Sequence, residues 1–256
     1  MIEIKTPGEI GIMAEGGNIL AGILKQLAAA VKPGITTLEL DKLARELILS
    51  QKAAPAFLNY GGFPASLCVS INETVVHGVP SERRLEQSDI VSLDLGIKYK
   101  GYFTDSAVTL PVLGSMGYQD WMGANPKLLK LLEVTKEALN IAVRQAFAGN
   151  KIGRISYTIQ KYVEKNGFNV VRDLVGHGIG RMLHEDPPIP NFGRTNQGPI
   201  LKEGMVLAIE PMVIAGDPRL RRSEDGFGYV TQDGSPAAHF EHTVVVNKTG
   251  PTILTL

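Results

Sequence analysis

The sequence predicts an α+β fold of two similar halves, each a pair of helices laid on a curved sheet. Two observations carry this. Segments with helical punctuation and segments with strand alternation follow in the order helix, helix, strands, helix, helix, strands, and the two runs of that order meet near residue 120. With 256 residues, 44% hydrophobic and 20% charged, the chain can bury a large core as a single domain, residues 1–256, with halves of about 1–120 and 121–256.

Each element has its own signal. In the first helix Ile19, Leu20, Ile23, Leu24, Leu27 and Val31 recur at spacings of three and four, which gives one apolar face, and the pattern stops near Pro33-Gly34. The second opens on Thr36 with Glu39 three residues on, a capping box, and runs through Leu40, Leu43, Leu47 and Ile48. Strand-like runs SLCVSI, DIVSLDLGI and YFTDSAVTL follow, and GSMGYQDWMGANP reads as the loop between the halves. The third helix starts at Asn125-Pro126, a cap followed by proline at the first helical position, and carries Leu128, Leu131, Leu132, Leu139, Ala142 and Val143 before Gly149 ends it. The fourth, around Ile155, Ile159, Tyr162 and Val163, ends at Asn166-Gly167, which suits a left-handed cap. MVLAIEPMVI, GFGYVT and EHTVVVN are the closing strands.

Bulk charge excludes several function classes. Lys plus Arg and Asp plus Glu number 26 each, so no overall field favours nucleic acid, anionic membrane or a polycationic substrate. Function must be local. The single cysteine, Cys68, rules out an internal disulfide and fits a reducing compartment, with the thiol either structural or in a pocket. The N-terminus MIEIKTPGEI carries acids where a secretory signal carries bases, and no apolar run approaches the roughly 20 residues of a membrane span. The chain reads as cytoplasmic, with no membrane partner.

Four carboxylates stand where water should be absent. Glu210 is the one charge in MVLAIEPMVI. Asp94 and Asp105 each sit inside apolar company on strands flanking a turn near KYKG. If the turn centres on Tyr99-Lys100 the two aspartates oppose one another; one residue later, Asp94 pairs with Ala107 and Asp105 becomes its diagonal neighbour. Either register puts both acids on one face. Opposed like charges destabilise the pair, and an unpaired buried carboxylate costs several kcal/mol, so something positive must lie between them. A Lys or Arg could serve, but the nearest cations, Lys98 and Lys100, are in the turn, and a metal fits better. Glu241 sits in HFEHTVVVN on the face of His239 and Thr243, with His242 on the other. Glycines surround His177 in VGHGIGRMLHEDPP, His184 follows seven residues later, and His77 closes the apolar run of INETVVHGVP.

Charge counting sharpens the metal reading. Asp94, Asp105, Glu210 and Glu241 bring four negative charges, which two divalent cations with a neutral His177 cancel, leaving room for one bridging hydroxide. An oxygen-rich site with one imidazole suits Mn, Fe or Co, tolerates Zn, and lacks the thiolates of a structural zinc site. No HExxH pair, Walker loop, GxGxxG after a strand or GxSxG elbow competes with it.

The ordered set NETVVHGVP, LDLG followed by TDSA, GHGIGRMLHEDP, AIEP and FEHTVVV resembles the type I methionine aminopeptidases of the two-lobed "pita-bread" metallopeptidase superfamily, over essentially the whole chain. The resemblance implies a mostly antiparallel curved sheet with pseudo-two-fold duplication. It implies that Asp94, Asp105, His177, Glu210 and Glu241 hold two divalent ions (Co, Mn, Fe or Zn), Asp105 and Glu241 bridging, Asp94 on one ion, His177 and Glu210 on the other. His77 and His184 take the places of two catalytic histidines, toward the scissile amide nitrogen and the carbonyl oxygen, and Glu210 that of a proton shuttle. The implied activity is removal of the initiator methionine from nascent proteins and peptides when the next residue is small, by attack of a metal-bound hydroxide on the first peptide carbonyl. The implied partners are N-terminal methionyl chains, with room for transient ribosome contact, no nucleic acid required, and a monomer as the default.

Positions of the family's methionine pocket fall on Phe57, Tyr60, Phe63, Cys68, Leu183 and Phe227, aromatic walls that suit a thioether. Phe57 stands where a small residue is frequent, Phe63 where tyrosine is, Leu183 where an aromatic is and Phe227 where tryptophan is. The absence of a long insertion between GHGIG and AIEP, and of an N-terminal Cys or His cluster, points to the bacterial-like minimal form. A proline-specific aminopeptidase or dipeptidase would share the five ligands but usually carries an extra N-terminal domain. A metal-free binding protein on the same fold would have lost ligands.

Overall fold

The computed structural model describes residues 2–256. Helices α1 (Pro7–Ala30) and α2 (Thr37–Ser50) come first, then short strands β1 (Ala54–Pro55), β2 (Cys68–Ile71) and β3 (Thr74–Val76), with a 3-10 turn at Tyr60–Gly62 between the first two. The long hairpin β4 (Ile90–Tyr99) and β5 (Tyr102–Pro111) leads to α3 (Tyr118–Ala124), α4 (Pro126–Val143) and α5 (Ile152–Lys165). The remaining strands are β6 (Asn169–Val170), β7 (Val175–Gly178), β8 (Glu185–Pro190), β9 (Val206–Ile209), β10 (Met212–Ile214), β11 (Leu220–Arg222), β12 (Tyr229–Thr231), β13 (Ala237–His239), β14 (Glu241–Val245) and β15 (Thr252–Ile253). No helix among the described residues is long and apolar enough to cross a membrane.

One nine-stranded sheet carries the molecule, in the order β1-β4-β5-β14-β9-β7-β8, with β2 added to β4 and β15 to β14. Its ladders are antiparallel. The halves meet where β5 pairs with β14, Glu241 opposite Ala107 and His242 opposite Ser106. Each helix pair covers its own half. Leu20, Leu27, Leu40 and Ile48 of α1 and α2 pack on Val91, Leu93 and Leu95. Leu131, Leu139, Ile155 and Ile159 of α4 and α5 pack on Leu207, Ile209 and Val244. Burial of these stripes supplies most of the folding drive, since isolated helices of this length are marginal in water.

The structure departs from the sequence-based expectation at four places. Helix α1 begins at Pro7, well before its apolar face, because Thr6 and Glu9 close a capping box with proline at the first helical position. The stretch expected as a connecting loop contains α3, held down by the fully buried Trp121, on which Tyr118 stacks at 6.3 Å. Helix α4 stops at Val143, six residues before Gly149, where the chain turns to leave Ala146 buried. The run MVLAIEPMVI is two strands: β9 belongs to the nine-stranded sheet and β10 to a three-stranded one with β13 and β6. Pro211 has no N–H for a ladder, so pairing ends there.

Close approach fixes where α1 lies. A Cβ on Gly17 would stand 2.1 Å from the Leu254 carbonyl oxygen, whereas one on Gly11 would meet nothing within 4 Å. Gly17→Ala is therefore expected to destabilise by about 1–3 kcal/mol through overpacking. Gly11→Ala should instead stabilise by about 0.5–1 kcal/mol through helix propensity. Urea midpoints at fixed m-value measure both, and equal shifts in the two variants would refute the packing argument.

Candidate metal centre

The hairpin turn decides the register the sequence left open. Lys100 and Gly101 both have positive φ, 46° and 90°, as a tight two-residue turn requires, so Tyr99 pairs with Tyr102 and Asp94 with Ala107. Asp105 then faces Gly96 and lies diagonal to Asp94 on the same side of the sheet. Cys68 on β2 pairs with Asp94 and joins that face.

Two strands change sheets together and bring the other acids in. β9 pairs with β14 in one sheet, and their continuations β10 and β13 pair in another, Met212 opposite His239. The break falls at Pro211 and Phe240, each one residue from a carboxylate, Glu210 and Glu241. Glu210, two residues beyond Ala208 at the end of β9, stays on the face of Asp94 and Asp105 and lines the same cavity.

His177 arrives on β7 with glycine on both sides. A Cβ on Gly176 would meet the Ala208 oxygen at 2.5 Å, and one on Gly178 the Asp186 oxygen at 2.1 Å, so only glycine lets this strand come so near its neighbours. The His177 Nδ1 lies 2.8 Å from the Gly178 carbonyl oxygen. A carbonyl only accepts, so Nδ1 carries the proton and Nε2 presents a bare lone pair, 3.7 Å from Glu210 Oε1. Burial holds the ring neutral, with its pKa lowered to about 3.

All five side chains line one cavity of about 160 Å³, together with His77, His184 and the six apolar pocket positions. One ligand atom each from Asp105, His177 and Glu241 lie within 4.8 Å of one another. Among the described residues, no Lys or Arg forms an ion pair with any of the four acids; the near partners of Glu210 are histidines. Buried oxygens of Asp94, Asp105 and Glu241 have no hydrogen-bond partner. Burial therefore pushes the Asp105 and Glu210 carboxyls up to about 7 and about 8. Asp94 and Glu241 rise well above their usual range, first by burial and then by neighbouring carboxylates. Orphaned oxygens, crowded acids and a bare imidazole nitrogen together form a donor set suited to divalent cations.

The two remaining histidines are held in different ways. His77 has φ of 57°, a left-handed conformation unusual for a non-glycine residue, and this turns its ring into the cavity. The next residue, Gly78, touches β2 so closely that a Cβ would sit 2.2 Å from the Val69 oxygen. His184 has its Nδ1 2.7 Å from the Tyr60 hydroxyl and its ring edge-on to His177 at 4.3 Å. The loop bearing it is tied to the N-terminal strap by a buried ion pair between Lys5 and Glu185. Gly180 makes room for the Lys5 stem, since a Cβ there would lie 2.2 Å from Lys5 Cε.

Around the apolar end, Phe63 and Phe227 meet edge to face at 5.7 Å, Leu183 is buried, and Tyr60 stands at the rim. Gly96 explains how Phe57 fits: a Cβ at that position would be 2.7 Å from the Phe57 ring. Cys68 is buried, and its thiol is held neutral, first by burial and then by the acids beside it. Two residues of the site were not singled out as functional from sequence. His239 is fully buried with both ring nitrogens unbonded and Nε2 3.4 Å from Glu210 Oε2; its place two residues before Glu241 on one strand face was the available signal. Arg222 lines the cavity from β11, and nothing in its exposed RLRRS context points there.

Comparison with known proteins agrees with this geometry. Residues 11–248 match metallopeptidase family M24. Methionine aminopeptidase 1 of Bacillus subtilis is 49% identical over 255 residues, covering 100% of this chain and 99% of its own. The crystal structure of methionine aminopeptidase from Rickettsia prowazekii superposes with a TM-score of 0.94 at 40% identity, covering 100% of both chains. Xaa-Pro dipeptidase from Bacillus anthracis shares the fold at a TM-score of 0.77 and 23% identity, and this chain, 98% covered, spans 61% of it. With the likeness running end to end in the first two cases, the chain belongs to the methionine aminopeptidases of metallopeptidase family M24, with their pita-bread fold.

Proposed function

We propose that this protein removes the N-terminal methionine from peptides and nascent proteins whose second residue is small, as one catalytic domain formed by both halves. The observation that carries the reading is the convergence of four acids, three buried and Glu210 nearly so, none paired with Lys or Arg among the described residues, on a neutral histidine beside an apolar pocket. Asp94, Asp105, His177, Glu210 and Glu241 would hold two divalent ions, Asp105 and Glu241 shared between them, because two such ions balance four carboxylates. Mn, Fe, Co and Zn all suit the donors. Bound there, the cations lower the pKa of water and polarise the scissile carbonyl.

The chain's own residues supply the rest. Phe57, Tyr60, Phe63, Cys68, Leu183 and Phe227 receive the methionine side chain, aromatic edges meeting the thioether. His184, accepting at Nδ1 from the Tyr60 hydroxyl, presents an Nε2 proton toward the carbonyl oxygen. Glu210, whose two carboxylate oxygens lie near His177 and His239, stands where it can pass a proton to the departing amine. His77 faces the amide nitrogen from its left-handed turn and orients the leaving group. The buried free thiol suits a reducing cytoplasm, where a monomer in transient contact with the ribosome would meet emerging chains.

With Mn, Fe or Co, the purified protein should release methionine from Met-Ala-Ser and not from Met-Leu-Ser, followed by chromatography of free methionine. Equal turnover of both would sink the specificity claim. His77→Ala should leave bound metal at the wild-type level while lowering kcat at least about 100-fold. Loss of metal in that variant would put His77 among the ligands.

The carboxyl shifts also set a pH dependence. The folded, metal-free protein keeps protons on Asp105 and Glu210 up to about 7 and about 8 that the unfolded chain releases near 3.8 and 4.5. More protons on the folded state mean stability falls as pH rises through that interval. Histidine burial acts oppositely, but only below the ordinary value of 6.5. The Tm of the chelated protein should therefore drop between roughly pH 6.5 and 8.5, and added Mn should abolish the drop with release of protons. A flat Tm profile in the chelated protein would contradict the raised carboxyl values.

A further inference from the structure

Arg222 is the one Lys or Arg among the side chains that line the cavity. Its guanidinium lies over the Tyr229 ring at 4.0 Å, and one of its terminal nitrogens donates to the Gly226 and Phe227 carbonyl oxygens at 3.3 and 3.0 Å. These contacts fix the head group between two functional parts. Phe227 is a wall of the apolar pocket, and Tyr229 backs His77, ring edge to face at 5.9 Å. The Nε and second terminal nitrogen make no hydrogen bond, and no carboxylate among the described residues pairs with the group. The residue is exposed. A pre-oriented fork with open donors at a cavity mouth is the form in which arginine recognises carboxylates.

The direction of the substrate then matters. Resting on the methionine-removal reading above, the first side chain occupies the pocket of Phe57, Phe63 and Phe227, and the scissile nitrogen lies toward His77. Whatever follows that nitrogen leaves past His77 and Tyr229, which is where the free face of Arg222 stands. We propose that Arg222 reads a carboxylate on the released portion of the substrate, beyond the small second residue. That carboxylate is an acidic side chain at the third position or the free C-terminus of a short peptide. The positive charge of Arg222 reaches His77, adding the smallest share, after burial and then His239 and His184, to a pKa lowered to about 4. Because the group is solvated, the preference is modest and sensitive to salt.

Initial rates on the metal-loaded enzyme test this with two peptide pairs, Met-Ala-Asp-amide against Met-Ala-Asn-amide and free Met-Ala-Ser against its amide. At about 20 mM salt the acidic member of at least one pair should show kcat/KM about two- to fivefold higher, mainly through KM, and the pair that responds identifies the source. The ratio should approach one at about 0.5 M salt and in Arg222→Gln, and persist in part in Arg222→Lys, which keeps charge without the fork. Ratios of one for the wild type in both pairs overturn the proposal without any variant, as does a preference that survives Arg222→Gln. No methionine from any of the four peptides would overturn the aminopeptidase reading itself, and this inference with it.

Discussion

Four carboxylates on one cavity, none of them paired with Lys or Arg among the described residues, are the constraint from which the rest of this structure follows. Burial raises every one of their pKa values, and neighbouring carboxylates add to it for Asp94, Asp105 and Glu241, so the metal-free protein must keep protons on groups that are ordinarily ionised. A core seeking stability alone would not be built this way, since apolar residues of equal volume would serve better. The acids are tolerated because the surrounding frame fixes them from four separate strands, β4, β5 and β14 together with the exit of β9. Removing their protons requires positive charge from outside the chain. Folding energy and cation affinity are thus coupled through the same side chains.

The frame achieves this convergence by interrupting its own ladders. Where β9 and β14 leave the large sheet at Pro211 and Phe240, the strand pair continues into a second sheet, and the carboxylate next to each break turns into the cavity. Alternation from Ala208, the register partner of both His177 and Thr243, puts Glu210 and Glu241 on the face that carries His177, and past the break Glu210 lies near both His177 and His239. Glycine provides the complementary device. At Gly78, Gly176 and Gly178 the backbone passes within a distance that any Cβ would forbid, and each of these glycines adjoins His77 or His177. Close backbone approach thus sets the reach of the histidines, while Glu241 is held by its pairing with Ala107 and Glu210 stands at the end of β9.

Much of this was legible in the sequence because its signals are local. A charge inside an apolar strand run is visible without coordinates, and alternation placed Asp94 and Asp105 on one face in either register. The register itself needed the turn, and the Lys100-Gly101 pair with positive φ was readable in KYKG as glycine at the second central position. Thr6-Pro7 with Glu9 also announced the true start of α1, but the apolar face begins later and drew the boundary inward. Other features are not local. Pro211 signals an end to pairing, yet only the partner strand's break at Phe240 turns that end into a change of sheet. His239 points toward Glu210 by virtue of that change. Arg222 reaches the cavity through its stacking on Tyr229, a contact across strands that no periodicity encodes.

The apolar pocket shows how positions far apart in sequence share one space. Phe57 brings a ring where a smaller group would leave space, and Gly96, on the strand that also carries Asp94, is bare at the point of contact. The ring therefore occupies volume that a side chain at position 96 would claim, and it does so beside Asp105, the register partner of Gly96. Two consequences follow from one substitution of space. The apolar lining reaches the strand position opposite Asp105, and the pocket keeps a hydrophobic wall with Tyr60 exposed at its rim. The apolar pocket and the acid cluster therefore share one cavity and are not independent. A change at Phe57 or Gly96 bears on both, because burial is the first cause of the raised carboxyl values and these positions set how an apolar ring packs on the strand opposite Asp105.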